Sequence, residues 1–222
     1  MFKKILIYIL MLYSISNYYD FFSWYFSKNQ MVVEDALMLS LLSSIPMFLA
    51  LILIHIFYYP ADILDRAKVI SFPPIIFLFF TNLAFLVSMT NMYYFQMYNV
   101  PRELDIFRSS TLGILFIVIA LVILYFSLRE FNKVNEDPVP TSPSNLIITN
   151  SIYAYSRNPM YLGLLILQIG VGMLLSVIHI TFFTLFTYVV LKYYVIIPEE
   201  KYLEGKFGEK YLNYKISVRR WF

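Results

Sequence analysis

The sequence predicts an all-α integral membrane protein with about six transmembrane helices, or five if the first apolar segment is not a span, and a cytoplasmic C-terminal helical segment. Of its 222 residues, 60% are hydrophobic and only 14% are charged, whereas a soluble domain is nearer half apolar and a quarter charged. Several apolar runs reach the length of about 20 residues that a bilayer crossing needs. Aromatic residues make up 19% of the chain, which suits a protein that lines two water–lipid boundaries.

Four apolar segments meet the length of a span without difficulty. They are Ala36–Tyr58, Phe72–Tyr94, Thr111–Leu128 and the run from Met160 to Ile197. The last run is too long for one crossing, so we interpret it as a hairpin that turns near Ser176–His179. Gly163, Gly170 and Gly172 lie on its first limb and allow close packing against a neighbouring helix.

The N-terminal apolar segment, Ile5–Phe26, is a weaker span because Asn17 and Asp20 interrupt it. Two lysines followed by an apolar run are also typical of a signal peptide. We favour a retained first helix, because aromatic and apolar residues continue well beyond the small residues Ser14–Ser16, where a cleavage site would fall.

Charge predicts the orientation of a multi-pass protein with both termini in the cytoplasm. In that arrangement the inside holds Lys3, Lys4, Arg66, Lys68, Arg129, Lys133, Arg157 and the six basic residues after Ile197. The outside holds only Lys28, Arg102 and Arg108. This asymmetry is the one that the positive-inside rule describes.

Residue types exclude several classes of site. The chain has no cysteine, so disulfides, thiolate nucleophiles and cysteine-ligated metals are excluded. The two histidines, His55 and His179, have no carboxylate at ligand spacing, and no metal site is expected. The six glycines form no dinucleotide fingerprint, and neither a phosphate loop nor a nucleophile elbow occurs. Nothing in the sequence predicts a nucleic-acid partner.

Two polar segments on the predicted cytoplasmic side are left to carry chemistry. The first, Arg129–Pro159, contains Pro138, Pro140 and Pro143, which forbid a regular helix through its middle. It is either a connector or, as is frequent for loops of this length, a functional segment.

The second polar segment, Pro198–Phe222, is predicted to form a helix. Its acidic pair and its apolar stripe each have an ordinary structural explanation. Pro198 suits the first turn, and Glu199 and Glu200 then lie beside the positive end of the helix dipole. An apolar stripe recurs at helical spacing and is typical of a helix on a membrane surface. Its members are Leu203, Phe207, Tyr211, Tyr214 and Val218. Gly205 and Gly208 weaken the helix in its middle.

The C-terminal motifs, in their order and spacing, resemble the isoprenylcysteine carboxyl methyltransferase family, which is related to the membrane phospholipid N-methyltransferases. They are "YSRNPMYLG" (Tyr155–Gly163), a glycine-bearing apolar hairpin, "EEKYLEGKFGEKYLNYK" and "VRRW". "FPP" at Phe72–Pro74 is similar to the start of the first core helix in that family. The resemblance divides the chain into an N-terminal extension with two membrane helices, residues 1–70, and a core with four, residues 71–222.

The resemblance implies S-adenosylmethionine as methyl donor, bound at the cytoplasmic end of the helices between the two polar segments. The family's cofactor motif falls on Arg157, Asn158, Pro159, Tyr161 and Gly163, with Leu162 between them. The family's acidic pair falls on Glu199 and Glu200, near the reacting groups.

Simple chemistry of the donor agrees with these assignments. Arg157 can pair with the carboxylate of the donor, and either glutamate can stabilise the sulfonium or hold an amine substrate. Of the two glutamates we prefer Glu200. The rings of Tyr153, Tyr155 and Tyr161 can serve a cation or an adenine. Glu199, Glu200 and Arg157 are therefore the predicted catalytic residues.

Several functions stay open. The first is a methyltransferase for a lipophilic or lipidated acceptor, with a prenylcysteine-type carboxylate as one candidate and a phospholipid, a small amine or a thiol as others. The second is an NADPH-dependent enzyme like the sterol reductases, and the third is a non-catalytic membrane protein. Relatives often read "SGPYRYSRNP" where this chain has Ser151, Ile152 and Ala154 at three of those positions, so the motif does not specify the acceptor.

Overall fold

The computed structural model describes residues 2–27, 33–59, 65–95 and 101–221. In these ranges the chain forms eight α-helices and no strand. They are α1 (Phe2–Ser27), α2 (Val33–Tyr58), α3 (Pro73–Phe95), α4 (Ser110–Lys133), α5 (Pro159–Leu174), α6 (Ile178–Leu191), α7 (Ile197–Phe207) and α8 (Glu209–Ser217). Short 3-10 helices cover Arg102–Arg108 and Ser151–Ala154. The all-helical prediction is confirmed.

Five helical units in the described ranges are long and apolar enough to cross a membrane. Four of them are α1 to α4, and the fifth is the continuous unit from α6 into α7. With 16 residues, α5 is shorter; at 1.5 Å per residue it spans about 24 Å, against about 30 Å for the hydrocarbon core. The predicted hairpin is confirmed, since α5 and α6 are joined by a turn in which Ser176 has a φ of 56°.

Glycines set how closely α5 approaches its neighbours. A Cβ atom on Gly170 would lie 2.9 Å from the backbone nitrogen of Ile117 in α4, and one on Gly163 would lie 2.9 Å from Leu124 Cγ. Gly113 of α4 lies in the same contact between α4 and α5 (the seam), because its added Cβ would lie 2.4 Å from the backbone of Leu174. The prediction of close packing is confirmed, and Gly113 is an additional contributor that the sequence did not single out.

The helix that carries the acidic pair is joined to α6 without a break. A π-helix over Lys192–Ile196 lies between α6 and α7, and a widened turn of this kind is frequent at functional sites. Pro198 stands in the first turn of α7, as predicted. The residue before α7, Ile196, nevertheless has helical φ and ψ, so the acidic pair does not face a free helix N-terminus. The chain then breaks at Gly208, which has a φ of 53°.

The start of α1, the end of α2 and α7 lie at one end of the bundle. The Lys3 ammonium lies 4.4 Å from the ring centre of Phe57 at the end of α2, and the linker after α2 forms an ion pair with Lys206 in α7. At the opposite end, Ser176 Oγ donates a hydrogen bond to the carbonyl of Arg108. This arrangement agrees with the predicted topology. Assignment of the first end to the cytoplasm stays a prediction, and Lys28 lies outside the described residues.

The described part of the linker between α2 and α3, from residue 65 onward, is packed into the core of the molecule. Ala67 and Val69 are buried in an apolar cluster with Tyr161 of α5 and Val195 of the π-helix. The amide of Ile70 donates a 3.0 Å hydrogen bond to the carbonyl of Tyr194, also in the π-helix. The predicted boundary between residues 70 and 71 therefore passes through a segment that contacts the C-terminal half of the chain directly.

Candidate functional site

A narrow cleft of about 80 Å³ opens at the end of the bundle where the two polar segments meet. One wall is irregular backbone between α4 and α5. Its lining residues are Glu136, Asp137, Pro138, Val139, Pro140, Ser144, Leu146, Ile147 and Ile148. The opposite wall belongs to α7 and α8. It contributes Glu199, Glu200, Leu203, Tyr211 and Tyr214. Phe131, Tyr153, Arg157 and Asn158 complete the lining.

The proline-rich wall, residues 136–148, is held by its own carboxylates. Prolines remove backbone donors and prevent a helix here, and side chains accept hydrogen bonds from several of the remaining amides. Asp137 accepts hydrogen bonds from the Val139 amide at 3.0 Å and the Ser142 hydroxyl at 2.6 Å. Glu136 accepts one from the Asn145 amide at 3.1 Å. The wall therefore has a defined shape without regular secondary structure.

Glu200 is bound by two arginines at the base of the cleft. Its carboxylate accepts hydrogen bonds from Arg157 Nη2 at 2.9 Å and from Arg220 Nη2 at 2.6 Å, and the Nε atom of each guanidinium adds another. Glu200 is only 4% exposed, and a charge at that depth is tolerated only when it is paired and hydrogen-bonded. The hydrogen bonds to Glu200 also raise the pKa of Arg220 above its ordinary value.

Arg157 also holds the C-terminal tail, residues 218–221. Its Nη1 donates to the carbonyls of Lys215 at 2.8 Å and Val218 at 2.6 Å, while its amide donates to the carbonyl of Arg219 at 3.0 Å. Asn158 adds a bond from Nδ2 to the carbonyl of Arg220 at 3.1 Å. Arg157 and Asn158 (the Arg-Asn pair) thus bind the tail across the base of the cleft, which brings Arg220 to Glu200.

These contacts bear on the role predicted for Arg157. Its guanidinium lines the cleft but is committed to Glu200 and to two backbone carbonyls. Pairing with a donor carboxylate would require it to give up one of those partners. The geometry therefore favours Arg157 as a residue that shapes the base of the cleft, and its direct contact with a donor stays a prediction.

Glu199 is placed differently from Glu200. Its Oε2 accepts a 2.6 Å hydrogen bond from the Tyr161 hydroxyl, and in the described part of the chain it forms no ion pair. Glu199 lines the polar cleft, whereas Tyr161 lines an adjoining apolar groove. The Glu199–Tyr161 hydrogen bond therefore marks the boundary between the two spaces.

The apolar groove has a volume of about 340 Å³. Its lining comes from the start of α3, the end of α4, the start of α5 and the proline-rich wall. These residues are Phe72, Pro73, Pro74, Leu124, Leu128, Pro138, Val139, Pro140, Met160, Tyr161 and Leu164. Pro138, Val139 and Pro140 line the cleft as well, so one short stretch of backbone separates the polar space from the apolar one.

Three tyrosines give the cleft aromatic surface with neutral hydroxyl groups. Burial raises the pKa of Tyr153, and the charge of Glu199 raises it further. Burial likewise raises the pKa of Tyr211 and of Tyr214. These phenols therefore stay protonated at neutral pH. Tyr214 donates to the carbonyl of Tyr153 at 2.7 Å, which joins α8 to the segment before the Arg-Asn pair.

The structure brings together some of the predicted site residues but not all. Tyr153, Arg157, Asn158, Glu199 and Glu200 line the cleft. Tyr161 reaches the cleft through Glu199.

Four other predicted residues lie elsewhere. Tyr155 is 71% exposed and does not line the cleft. Pro159 starts α5, Gly163 packs against α4, and Leu162 does not reach the cleft lining.

The sequence does not predict Arg220 or the carboxylates of the proline-rich wall as site residues. It predicts Tyr211 and Tyr214 as part of a membrane-surface stripe. Their position just after the break at Gly208 was the available signal, because the break turns α8 back toward the cleft.

No cluster of potential metal ligands occurs among the described residues. The two histidines have other partners within that part of the chain. His55 lies 3.0 Å from the Ser71 hydroxyl, and His179 lies 3.1 Å from Asn91 Nδ2.

Part of the chain is similar to known methyltransferases. Residues 108–210 match the family model for phospholipid methyltransferase. The chain is also 40% identical over 76 residues to a protein of Schizosaccharomyces pombe named Protein-S-isoprenylcysteine O-methyltransferase, an alignment that covers 33% of this chain and 31% of that protein. The chain thus aligns with about a third of the length of this relative. No solved structure matches the chain. The predicted family resemblance is thus confirmed for part of the chain.

Proposed function

We propose that this chain is a membrane-embedded methyltransferase that takes its methyl group from S-adenosylmethionine and transfers it to a lipophilic acceptor. The observation that carries the proposal is the shared wall between the polar cleft and the apolar groove, with Glu199 on one side and Tyr161 on the other. A water-soluble donor and an apolar acceptor need such a boundary in order to meet. The match of residues 108–210 to a methyltransferase family supports the same function.

The residues of the cleft fit the chemical groups of the donor. Glu199 offers a carboxylate without an ion-pair partner among the described residues, and such a group suits a sulfonium cation. Tyr153, Tyr211 and Tyr214 offer flat apolar faces and hydroxyl groups for an adenosine. Small-molecule sites usually measure about 300–1,000 Å³, so the cleft of about 80 Å³ must widen when the donor enters.

The reaction is an in-line displacement at a methyl carbon. The bond from the acceptor atom to that carbon forms as the carbon–sulfur bond breaks, and the electron pair stays on sulfur to leave a neutral thioether. When bound, the donor supplies the activated methyl group. The chain's own residues position the two reactants and exclude water.

We propose a prenylcysteine-type carboxylate as the acceptor. The alignment with a relative named for that reaction supports it, and the apolar groove suits a long hydrocarbon chain. A carboxylate is already ionised at neutral pH, so this reaction needs no general base. Glu199 then acts on the sulfonium cation only, since a second carboxylate gains nothing from it.

A phospholipid amine is the second candidate acceptor, because the matching family model is named for phospholipid methylation. An amine is protonated at neutral pH and must lose a proton before it attacks. In that case Glu199, which lines the cleft and contacts Tyr161 of the apolar groove, would accept that proton.

Methyl transfer by the purified protein in lipid nanodiscs separates these acceptors. Labelled S-adenosylmethionine is supplied with an S-farnesyl cysteine derivative, with the carboxamide of the same compound, or with phosphatidylethanolamine. We expect label in the first compound only, released as methanol by mild base because the product is an ester. Base-stable label in phosphatidylethanolamine would establish the amine acceptor instead. If no compound or membrane lipid is labelled, the proposed function is wrong.

A further inference from the structure

We propose that the linker between α2 and α3 positions the walls of the cleft through Asp65, which orients the Tyr202 hydroxyl so that it joins the proline-rich wall to α7. The inference rests on the proposed function. It assigns to the N-terminal extension a part in the site that neither its membrane helices nor the C-terminal motifs suggest.

Three segments of the chain meet at the Tyr202 hydroxyl. It donates to Asp65 Oδ1 in the linker at 2.9 Å, and it accepts from the Ser144 amide in the proline-rich wall at 3.1 Å. It also accepts from Lys206 Nζ, one turn along α7, at 3.2 Å. Ser144 and Leu203, the residue after Tyr202, both line the cleft. This group of three hydrogen bonds at the Tyr202 hydroxyl, the junction, therefore lies directly behind the residues that line the cleft.

The hydrogen-bonding capacity of a phenol explains why Asp65 matters. A tyrosine hydroxyl has one proton to donate and two lone pairs with which to accept. Because Asp65 takes the proton, both lone pairs are left for Ser144 and Lys206. Without the carboxylate of Asp65, only the backbone carbonyl of that residue, at 3.5 Å, is left to accept there. The proton is then free to rotate toward other partners, and the bond to Ser144 is no longer favoured.

The linker is anchored on the C-terminal side of Asp65. Ala67 and Val69 are buried in the core cluster that includes Tyr161 and Val195, and Ile70 is hydrogen-bonded to the π-helix that leads into α7. Asp65 also forms an ion pair with Lys206 at 2.5 Å. That pair is 56% exposed on the aspartate side, and exposed pairs contribute little. We therefore assign the effect to the hydrogen bond rather than to the charge.

The consequence for the site concerns opening of the cleft. A ligand of nucleoside size enters or leaves a cleft this narrow only when its walls separate, and the Ser144–Tyr202 bond opposes that separation. Loss of the bond should therefore speed the departure of bound donor. The transfer step itself should not change, because the junction touches neither Glu199 nor the apolar groove.

Four variants test the inference: Asp65→Ala, Asp65→Asn, Tyr202→Phe and the double variant Asp65→Ala/Tyr202→Phe. Asparagine keeps an oxygen that accepts from Tyr202 but removes the charge. Asp105→Ala is the matched control for the aspartate, since Asp105 is 59% exposed and pairs with an arginine far from the cleft. Tyr125→Phe, at an exposed position on α4, is the control for the tyrosine.

Hydrogen exchange of the segment around Ser144, measured without donor, is the first readout. We expect Tyr202→Phe and Asp65→Ala to speed exchange there at least fivefold. Asp65→Asn and both controls should stay near the wild type, and the double variant should match Tyr202→Phe alone, because both changes act on one hydroxyl. Unchanged protection in Asp65→Ala, an effect of Asp65→Asn as large as that of alanine, or additive effects in the double variant would each overturn the inference.

Release of labelled S-adenosylmethionine into excess unlabelled donor is the second readout. We expect release to be three to ten times faster in Asp65→Ala and Tyr202→Phe, while single-turnover methyl transfer from donor already bound keeps its wild-type rate constant. A slower transfer step with unchanged release would contradict a positioning role. If the wild-type protein binds no donor, the proposed function fails, and the exchange experiment still decides whether the junction exists.

Discussion

At the scale of single residues, the two neighbouring glutamates of α7 have different surroundings although they are adjacent in the chain. Glu200 is buried between two guanidinium groups. Among the described residues, Glu199 accepts one side-chain hydrogen bond, from Tyr161, and it lines the cleft. From the sequence we prefer Glu200 as the glutamate that contacts the reacting groups, whereas the geometry favours Glu199.

This difference predicts opposite results for two conservative substitutions. Glu199→Gln keeps the oxygen that accepts from Tyr161 but removes the charge, so we expect a normal melting temperature and at least tenfold slower methyl transfer, which corresponds to about 1.4 kcal/mol of lost transition-state stabilisation. Glu200→Gln leaves two cations facing a neutral group, and we expect a loss of stability of about 3 kcal/mol. Single-turnover transfer and melting curves of both variants decide the matter. Wild-type turnover in Glu199→Gln would show that the negative charge of Glu199 does not contribute to methyl transfer.

Arg157 gives a second prediction at this scale. It donates to a carboxylate and to two backbone carbonyls of the C-terminal region, a pattern that a planar fork of donors can satisfy and an ammonium cannot. We expect both Arg157→Ala and Arg157→Lys to destabilise the protein by about 1.5–3 kcal/mol, the range for hydrogen bonds to charged groups. Hydrogen exchange should show the tail released in both variants. If Arg157→Lys keeps the tail protected, the fork geometry is not what holds it.

At the scale of secondary-structure elements, the seam between α4 and α5 depends on small residues. A Cβ atom on Gly113 would lie 2.4 Å from the backbone nitrogen of Leu174, so any side chain there forces the two helices apart. Gly205 in α7 is the matched control, because nothing lies within 4 Å of its added Cβ.

We therefore predict that Gly113→Ala destabilises the protein by about 1–3 kcal/mol, the usual cost of overpacking. Gly205→Ala should stabilise it by roughly 0.5–1 kcal/mol, since alanine favours helix over glycine. Thermal unfolding of both variants in the same detergent checks the prediction. Equal effects at the two positions would mean that the seam tolerates a methyl group.

The membrane helices could be predicted from the sequence, whereas the segments that complete the cleft could not. Apolar runs of sufficient length predict spans because each helix satisfies its own backbone hydrogen bonds in lipid, and the α5–α6 hairpin follows from the excess length of one run. The proline-rich wall and the tail have no periodicity. Their positions depend on single long-range bonds, such as Arg157 to Val218 or Ser144 to Tyr202. The burial of Ala67 and Val69 could not be predicted from the sequence either, because a short linker has no apolar periodicity.

At the scale of the whole molecule, the cleft, the linker after α2 and the C-terminal tail lie at one end of the bundle, and the Arg102–Arg108 helix lies at the other. Since the chain has no cysteine, single introduced cysteines report on each end. We expect Glu103→Cys to react with a membrane-impermeant maleimide added outside intact cells. Ser217→Cys should react only after permeabilisation, as the positive-inside rule requires. The reverse pattern would place the cleft outside the cell.

Titration of the purified protein with S-adenosylmethionine and with NADPH, followed by calorimetry in nanodiscs, tests the central claim most directly. The account predicts saturable binding of S-adenosylmethionine, competition by S-adenosylhomocysteine, and weaker binding in Glu199→Gln, because the sulfonium loses its carboxylate. NADPH should give no heat beyond dilution. Binding of NADPH instead would indicate a reductase, and binding of neither compound by a folded protein would contradict the assignment of the cleft as a methyl-donor site.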